Sequence, residues 1–347
     1  MGRILLTGAS GFIAAHCLRA FLEAGHFVRF TVRSEEKAKQ IYERNEQYVD
    51  QMEPVLVEDI AAEGAYDEAL SDNTMDGVIH TASPFFTNVT DPQALLKPAV
   101  QGTLNLLNAI KKLAPNVKRV VITSSFAAMI NPKEGNWPGH VYNEDDWNPI
   151  TEEEALTGDG ITVYRASKTF AEKAAWKFVE EHKPGFDLAV LNPPMVYGPI
   201  INFQTIKTLN SSSQRFFKFF SGEMKEIEPS SSPLWVDVRD LATAHLRAYE
   251  RPDAGGKRFF IVADELYSNQ DIADIFRKNF EIFNDRIPVG TPGKGFDAKP
   301  GTIYTHDNSR SKAALGMTYL PFETCATDAG RSILELLQAE IIGGMMG

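Results

Sequence analysis

The sequence contains few of the residues and patterns that disulfide bonds, membrane spans and metal sites require. The 347 residues include only two cysteines, Cys17 and Cys325, which lie far apart. A disulfide framework needs more cysteines than this, and such sparse use suits a reducing compartment. No apolar run approaches the ~20 residues that cross a bilayer. The seven histidines are scattered and lack the paired spacing of zinc ligands, so we expect no metal.

Positive charge is also in deficit. Lys and Arg number 35 against 46 Asp and Glu, which gives a net charge of −11. That balance argues against nucleic acid or an anionic membrane surface as a partner. The first residues lead straight into a strand–turn–helix unit, so we expect no secretory signal and a cytoplasmic location.

The stretch 4–14 has the strongest local signal. Residues 4–6 are a short apolar run typical of a buried strand, and a turn of small residues and a helical apolar period follow them. Gly8 and Gly11 allow a sharp turn and a close approach of phosphates to the backbone, and Ala14 lets the helix pack against the strand. The Gly-x-x-Gly-x-x-Ala spacing is less common than Gly-x-Gly-x-x-Gly, and an ordinary turn is the alternative. Its context nevertheless favours a pyrophosphate site.

Strands and helices alternate through the first half of the chain. Apolar runs and helical periods predict strands at 4–6, 28–32, 55–57, 77–80, 119–123 and 188–191, and helices at 12–24, 35–46, 91–114 and 162–182. This order predicts an α/β fold, a Rossmann-type doubly wound parallel sheet with helices on both faces.

The pattern changes after residue 192. Pro and Gly pairs, and serine clusters at 211–213 and 230–232, indicate loops. Helices are expected at 268–280 and 322–342, and a late strand at 259–262. We therefore expect two parts. The dinucleotide-binding domain comprises 1–192 with returning segments at about 235–263, and a smaller C-terminal substrate-binding lobe comprises 193–234 and 264–347.

A tyrosine, a lysine and a serine pair are the candidate catalytic groups. Tyr164 and Lys168 lie four residues apart in a predicted helix, so their side chains share a face. An adjacent ammonium favours the phenolate, which would lower the tyrosine pKa from about 10 toward neutral-pH chemistry. A surface tyrosine over a lysine stem is the alternative. Ser124 and Ser125 end the predicted strand 119–123, where a hydroxyl can hold a carbonyl oxygen or simply cap the strand.

The end of the second strand has a cation where NAD-binding folds place an acid. Arg33 follows the strand, and Lys37 lies one turn into the next helix. A carboxylate at this tip binds ribose hydroxyls, whereas a 2′-phosphate needs cations. A solvated arginine is the plain alternative, but in this setting we predict NADPH/NADP+ as the cofactor.

The motifs together resemble the extended short-chain dehydrogenase/reductase superfamily, and within it the dihydroflavonol-reductase-like branch. The resemblance is carried by the Thr-Gly-x-x-Gly turn at 7–11, His-Thr-Ala-Ser-Pro-Phe at 80–85, Val-Ile-Thr-Ser-Ser at 121–125, Tyr-x-x-x-Lys at 164–168, Ala-Glu-Lys-Ala-Ala-Trp at 171–176 and Asp-Val-Arg-Asp at 237–240. Nearly the whole chain is similar to fungal NADPH-dependent methylglyoxal/isovaleraldehyde reductases. The family's third glycine is Ala14 here, and alanine is common there in this branch.

The resemblance implies a role for each residue. Tyr164 would protonate the carbonyl oxygen as hydride arrives at carbon, Lys168 would lower the tyrosine pKa and bind the nicotinamide ribose, and Ser125 would hydrogen-bond the carbonyl. Residues 59–60 would lie beside the adenine and 193–196 beside the nicotinamide carboxamide. The full set expected to contact the cofactor is Gly8, Ser10, Gly11, Phe12, Ile13, Arg33, Lys37, Asp59, Ile60, Thr81, Ala82, Ser83, Thr123, Tyr164, Lys168, Pro193, Met195 and Val196.

Position in the chain also predicts an apolar substrate pocket. Five residues follow strand ends that meet at one edge of the sheet: Phe85, Phe126, Met129, Met195 and Tyr197. Apolar walls of this kind bind a carbonyl compound and reject charged sugars. We expect one or two of the five only to seal the joint between the lobes.

The sequence therefore predicts an NADPH-dependent carbonyl reductase that converts aldehydes, α-dicarbonyls and ketones to alcohols. A small-molecule substrate is expected, with no nucleic acid or membrane as partner, in a monomer or homodimer. Two alternatives remain. A nucleotide-sugar epimerase or dehydratase on the same fold would keep NAD tightly bound, which Arg33 disfavours. A non-catalytic NADP-binding regulator would need a broken catalytic set, and fold analogy alone does not separate these readings.

Overall fold

The alternation of strands and helices predicted from the sequence is present in the folded chain. The computed structural model describes residues 1–84, 89–230, 232–295 and 301–346. The strands in these ranges are β1 (Arg3–Thr7), β2 (Phe27–Val32), β3 (Met52–Leu56), β4 (Gly77–His80), β5 (Arg119–Thr123), β6 (Val141–Tyr142), β7 (Asp187–Asn192), β8 (Met195–Tyr197), β9 (Trp235–Asp237), β10 (Lys257–Phe260) and β11 (Thr305–His306). The α-helices are α1 (Phe12–Glu23), α2 (Glu35–Arg44), α3 (Asp67–Leu70), α4 (Gln93–Leu113), α5 (Glu152–Thr157), α6 (Gly160–His182), α7 (Ser211–Ser221), α8 (Val238–Glu250), α9 (Asn269–Asn279), α10 (Ser309–Leu315) and α11 (Phe322–Met346).

Seven of the strands form one sheet in the order β10-β7-β5-β4-β1-β2-β3. Every neighbouring pair is parallel. The strand order reverses between β1 and β4, and in open α/β sheets ligands bind outside the carboxyl ends of the strands at such a point. The predicted Rossmann-type fold is confirmed.

Side chains of the sheet alternate between two cores, because successive residues of a strand point to opposite faces. In β1, Ile4 and Leu6 pack with α1, α2 and α8, whereas Leu5 packs with α3, α4 and α6. Phe21 of α1 is 1% exposed, and burying such a side chain contributes about 1.5–3 kcal/mol. This packing holds α1, and therefore the turn before it, in place against the sheet.

A third core lies in the second half of the chain and is rich in phenylalanine. The helices α7, α9 and α11 and the paired strands β8 and β9 build it. The rings of Phe220 in α7 and Phe276 in α9 stack with centroids 4.6 Å apart. Because β8 begins three residues after β7 ends, this core starts at the carboxyl edge of the main sheet.

Some element predictions are wrong in the second half. Residues 211–213 begin α7 instead of forming a loop, since the apolar period of Phe216, Phe219 and Phe220 extends the helix back through them. The helix α8 was not predicted, although Asp237 caps it by accepting a hydrogen bond from the Arg239 N–H. The late strand does return to the sheet, but it pairs with β7 over Lys257–Phe260, earlier than predicted.

Candidate active site

The turn after β1 is built around a close approach between two backbone segments. Gly8 has φ of +72°, and a Cβ on it would lie 3.0 Å from the Cα of Ala82. The Thr7 hydroxyl holds this second segment, accepting hydrogen bonds from the N–H groups of Thr81 and Ala82 at 3.2 and 3.1 Å. The Thr81 hydroxyl donates to the Thr7 carbonyl at 2.5 Å. Only glycine fits at position 8, because a side chain meets backbone there.

The N-terminus of α1 is left open to an anion. In the described part of the chain, no side chain caps the helix at Gly11, and no acidic residue lies in its first turn, which begins with Phe12 and Ile13. Free N–H groups and the positive end of the helix dipole favour phosphate at such a position. The residues present therefore fit a dinucleotide pyrophosphate.

Cations line the side of this turn that faces α2. Arg33 is exposed at the end of β2, and Ser34 caps α2 by accepting a hydrogen bond from the Lys37 N–H at 3.4 Å. The Lys37 ammonium donates to Gln40 at 3.1 Å. A cavity beside the turn is lined in part by Arg19, Lys37 and Arg44. Such a rim fits a phosphate better than a free ribose hydroxyl pair.

Two residues of this rim were missed by sequence reasoning. The Asn202 side chain donates to the carbonyl of Ser10 at 3.0 Å. The Phe203 ring lies 5.7 Å from the Lys37 nitrogen. Both come from the loop after β8, nearly 200 residues beyond the turn, and no local pattern marks them.

Ser125 and Tyr164 meet at the carboxyl edge of the sheet, and Lys168 lies one helical turn after Tyr164 on the same face of α6. Ser125 follows β5, and its hydroxyl oxygen accepts a hydrogen bond from the Ala127 N–H at 3.1 Å. The Tyr164 hydroxyl is hydrogen-bonded to the Ser125 side chain. The Tyr164 ring packs beside Leu95 and Leu96 of α4. The serine and tyrosine hydroxyls are thus placed to bind one oxygen atom together.

The electrostatics of this trio correct one expectation. Burial raises the pKa of Tyr164, and the hydrogen bond from Ser125 only partly offsets this. Burial also lowers the pKa of Lys168 to about 8, with Glu172 acting in the opposite direction. In the protein alone the tyrosine pKa is therefore raised and not lowered as predicted, because loss of hydration is the largest influence on it. His80 beside them is neutral, since burial lowers its pKa to about 3.

The two serines after β5 have different surroundings. Ser124 is 5% exposed, and its hydroxyl donates to the Glu172 carboxylate at 2.6 Å. Its hydroxyl is directed into the protein, whereas Ser125 remains partly exposed. Thr123, predicted to contact the cofactor, likewise bonds inward: its hydroxyl lies 2.6 Å from Nε2 of His245. The Thr123 hydroxyl is therefore bonded within the protein, which does not support its predicted role as a cofactor contact.

The predicted substrate-pocket residues divide into two groups. Met195 is partly exposed at the start of β8, while Phe126, Met129 and Tyr197 are at most 6% exposed. Phe126 stacks on Phe260, and the Tyr197 hydroxyl lies 2.8 Å from that of Tyr267. These three side chains pack in the core, contrary to the expectation that at most two would do so. Phe85 lies outside the described residues.

The other expected cofactor contacts surround the same edge. Asp59 is exposed after β3 and accepts a hydrogen bond from the Ala61 N–H at 2.8 Å, and Ile60 packs against Gly102 of α4. Ser83 and Val196 are partly exposed. Pro193 is buried, and its carbonyl accepts a hydrogen bond from the Phe126 N–H at 2.8 Å. Asp59 and Ser83 follow β3 and β4, and Val196 lies within β8, which begins three residues after β7 ends.

The described ranges hold neither a metal-binding cluster nor a membrane-spanning helix. No group of three or more His, Cys, Asp or Glu side chains in these ranges is arranged to hold a metal ion. Within the same ranges, no helix combines the length and the apolar character that crossing a bilayer requires.

Comparisons with known proteins agree with this geometry. Residues 4–263 match the model of the NAD dependent epimerase/dehydratase family. A ketoreductase of Aspergillus niger is 45% identical over 96% of this chain and 98% of its own length. An NADPH-dependent methylglyoxal reductase of Saccharomyces cerevisiae is 36% identical over 96% of this chain and 98% of its own. The crystal structure of the yeast methylglyoxal/isovaleraldehyde reductase Gre2 with NADPH superposes with a TM-score of 0.89 at 34% identity, covering 97% of this chain and 99% of that one. The chain belongs to the NAD-dependent epimerase/dehydratase family, that is, to the extended short-chain dehydrogenases/reductases.

Proposed function

We propose that this protein is an NADPH-dependent carbonyl reductase that converts aldehydes, α-dicarbonyls and ketones to alcohols. The observation that carries the proposal is the meeting of Ser125 and Tyr164, with Lys168 one helical turn after Tyr164, beside an uncapped helix N-terminus with a cationic rim. An acid and a hydrogen-bond donor at one oxygen position, next to a dinucleotide site, suit reduction of a C=O bond.

The residues that hold the cofactor follow from the turn and its rim. The N–H groups at the start of α1 bind the pyrophosphate, and Gly8 lets it approach the backbone. Arg33 and Lys37 bind the 2′-phosphate, which selects NADPH over NADH. The ammonium of Lys168 binds the nicotinamide ribose. When bound, NADPH supplies the hydride.

The catalytic groups act on the substrate oxygen. The Ser125 hydroxyl donates a hydrogen bond to the carbonyl and fixes its orientation. The Tyr164 phenol then gives its proton to the oxygen as negative charge develops there, which is general acid catalysis. Its raised pKa keeps the phenol protonated at neutral pH in the free protein, as the reductive direction requires. The Lys168 ammonium stabilises the phenolate that remains until solvent returns the proton.

Met195, partly exposed at the start of β8, is an apolar candidate for the wall of the substrate pocket. Apolar contacts discriminate weakly, by about 1–3 kcal/mol per methylene, so several carbonyl classes should be accepted. The related proteins are named for ketones and for methylglyoxal, and these are the first substrates to try. The two free cysteines are buried, and we place the enzyme in the reducing cytoplasm.

An NADPH-oxidation screen tests the function. Purified protein is supplied with methylglyoxal, aldehydes, diketones, β-keto esters and aryl ketones, and absorbance of NADPH is followed. Tyr164→Phe is the matched control, since it removes one hydroxyl from a ring that stays packed beside α4. We expect its kcat to fall about 10²- to 10⁴-fold while NADPH binding persists.

Two outcomes would contradict the proposal. Tight NADPH binding without turnover of any carbonyl compound would favour a regulator. Retention of NAD through purification, with conversion of a nucleotide sugar, would favour an epimerase. Normal turnover by Tyr164→Phe would remove Tyr164 from the mechanism.

A further inference from the structure

A buried carboxylate connects helix α6, which bears Tyr164 and Lys168, to the strand end that precedes Ser125 and to two neighbouring strands. Glu172 lies in α6, is 2% exposed, and accepts hydrogen bonds on both oxygens. Its Oε2 accepts from the Ser124 hydroxyl at 2.6 Å and from the Asn192 amide at 2.8 Å. Its Oε1 accepts from Arg258 at 2.6 Å and from Trp176 at 3.3 Å. Four donors from β5, β7, β10 and α6 thus converge on one side chain.

The same carboxylate is adjacent to both functional partners of Tyr164. The Asn192 amide that binds Glu172 also donates to the backbone carbonyl of Ser125 at 3.2 Å. Lys168 lies one helical turn before Glu172, on the same face of α6. Through Asn192 the carboxylate fixes the serine, and through charge it acts on the lysine.

Glu172 binds one buried cation directly, Arg258, and has a second, Lys168, one helical turn before it. Arg258 is 7% exposed, its guanidinium lies 3.7 Å over the Trp147 ring, and it donates to the carbonyls of Glu144 and Asp146 at 2.6 and 2.8 Å. These contacts keep Arg258 in position whether or not Glu172 is charged. With Glu172 neutral, the positive charges of Arg258 and Lys168 would repel across the same buried region.

We propose that Glu172 is a positioning residue for the reductase reaction, which orients Ser125 through Asn192 and keeps the Lys168 ammonium charged against the field of Arg258. The role rests on the proposed function, in which that ammonium holds the cofactor and supports Tyr164. The charged and titratable groups around Lys168 are Tyr164 and Glu172 on its own helix, His80 at the end of β4, and Arg258 behind Glu172. His80 is neutral, and Glu172 acts on the pKa of Lys168 in the direction opposite to burial.

Two substitutions should move the titration of Lys168 in opposite directions. Glu172→Gln keeps the shape and one acceptor oxygen but removes the negative charge, so the pKa of Lys168 should fall below its value of about 8. Arg258→Gln removes a positive charge beside Glu172, so the pKa of Lys168 should rise. A neighbouring charge moves a pKa by about 1–3 units, and each shift should be on that scale.

The measurement uses the cofactor-free protein. Competitive acylation of amines over a pH series, followed by peptide mass spectrometry, gives the pKa of Lys168 from its relative rate of labelling. The matched control is Arg29→Gln. Arg29 lies in the distant strand β2, is also a buried arginine at 8% exposed, and pairs with Asp72 at 2.7 Å. It should lose comparable stability and leave the Lys168 midpoint unchanged. In each variant, the pH above which NADPH affinity falls should match the pKa of Lys168 that the labelling gives.

The outcomes separate this proposal from the proposed function. Opposite shifts in the two variants, absent from the control, support the positioning role. A Lys168 midpoint equal to wild type in Glu172→Gln or in Arg258→Gln, in a protein that reduces ketones, would overturn it and leave the reductase function standing. If Glu172→Gln does not fold, Arg258→Gln alone decides. Wild-type protein that reduces no carbonyl compound contradicts the proposed function, whatever labelling shows.

Discussion

The close approach of Gly8 to Ala82 gives a prediction whose size can be worked from the structure. Gly8→Ala places a Cβ 3.0 Å from the Ala82 Cα, in backbone with φ of +72°. An L-residue in that conformation destabilises the folded state by about 1–2 kcal/mol. Alanine also makes the unfolded chain less flexible than glycine does, which offsets about 0.4–1 kcal/mol of that loss. Ala82 cannot retreat freely, since its N–H is bonded to Thr7. Overpacking adds about 1–3 kcal/mol, so the free energy of unfolding should fall by roughly 2–4 kcal/mol.

Gly256→Ala is the matched control, because Gly256 also has φ of +72° but a Cβ there meets nothing within 4 Å. It should lose about 1 kcal/mol from backbone conformation alone. For a chain of this length, 1 kcal/mol lowers Tm by about 1.4 °C. Thermal unfolding and NADPH titration are the assays, and only Gly8→Ala should also weaken NADPH, by about tenfold or more, the scale of one charged hydrogen bond. Equal Tm losses and equal NADPH affinities in the two variants would refute the reasoning.

Three further predictions test the rim, the lysine and the second lobe. Arg33→Ala should weaken NADPH roughly ten- to a hundred-fold and NADH hardly at all in parallel titrations; equal losses would make Arg33 structural. The pKa of Lys168 is about 8 in the free protein, and binding the ribose should raise it. NADPH affinity should therefore be greatest below pH 8 and should fall by up to tenfold per pH unit as the pH rises above 8. In Lys168→Met, NADPH affinity should stay constant between pH 7 and 9.5. Tyr197→Phe leaves the Tyr267 hydroxyl without its 2.8 Å partner, which should lower the free energy of unfolding measured in urea by about 1–3 kcal/mol. Unchanged stability with a changed preference between small and bulky ketones would instead place Tyr197 in the pocket wall.

Local patterns in the sequence were enough for the framework of the site. The apolar run at 4–6, the glycines that follow it and the helical period after them each act within about ten residues, so they can be read without knowing the fold. The helical repeat alone puts Tyr164 and Lys168 on one face. The alternation of strands and helices implies a parallel sheet, and a parallel sheet brings its strand ends to one edge.

Burial was the quantity that the sequence did not determine. Phe126 directly follows Ser125, a position that predicted a pocket residue, yet Phe260 and Tyr142 from other strands enclose it. The sequence pair Tyr164 and Lys168 suggested a lowered tyrosine pKa, but desolvation by several surrounding elements raises it. Desolvation depends on every neighbour at once, and most of those neighbours are distant in the chain.

Long-range polar contacts were likewise decided only by the tertiary structure. The chain order itself determined the sheet, the cofactor turn and the Tyr-x-x-x-Lys pair, because those depend on short periods and steric rules. Glu172, in contrast, appears in the sequence as an ordinary helix carboxylate four residues after Lys168. Its partners Ser124, Asn192 and Arg258 lie just after β5, in β7 and in β10. Only the packing of these strands against α6 brings the three side chains within hydrogen-bond distance of Glu172.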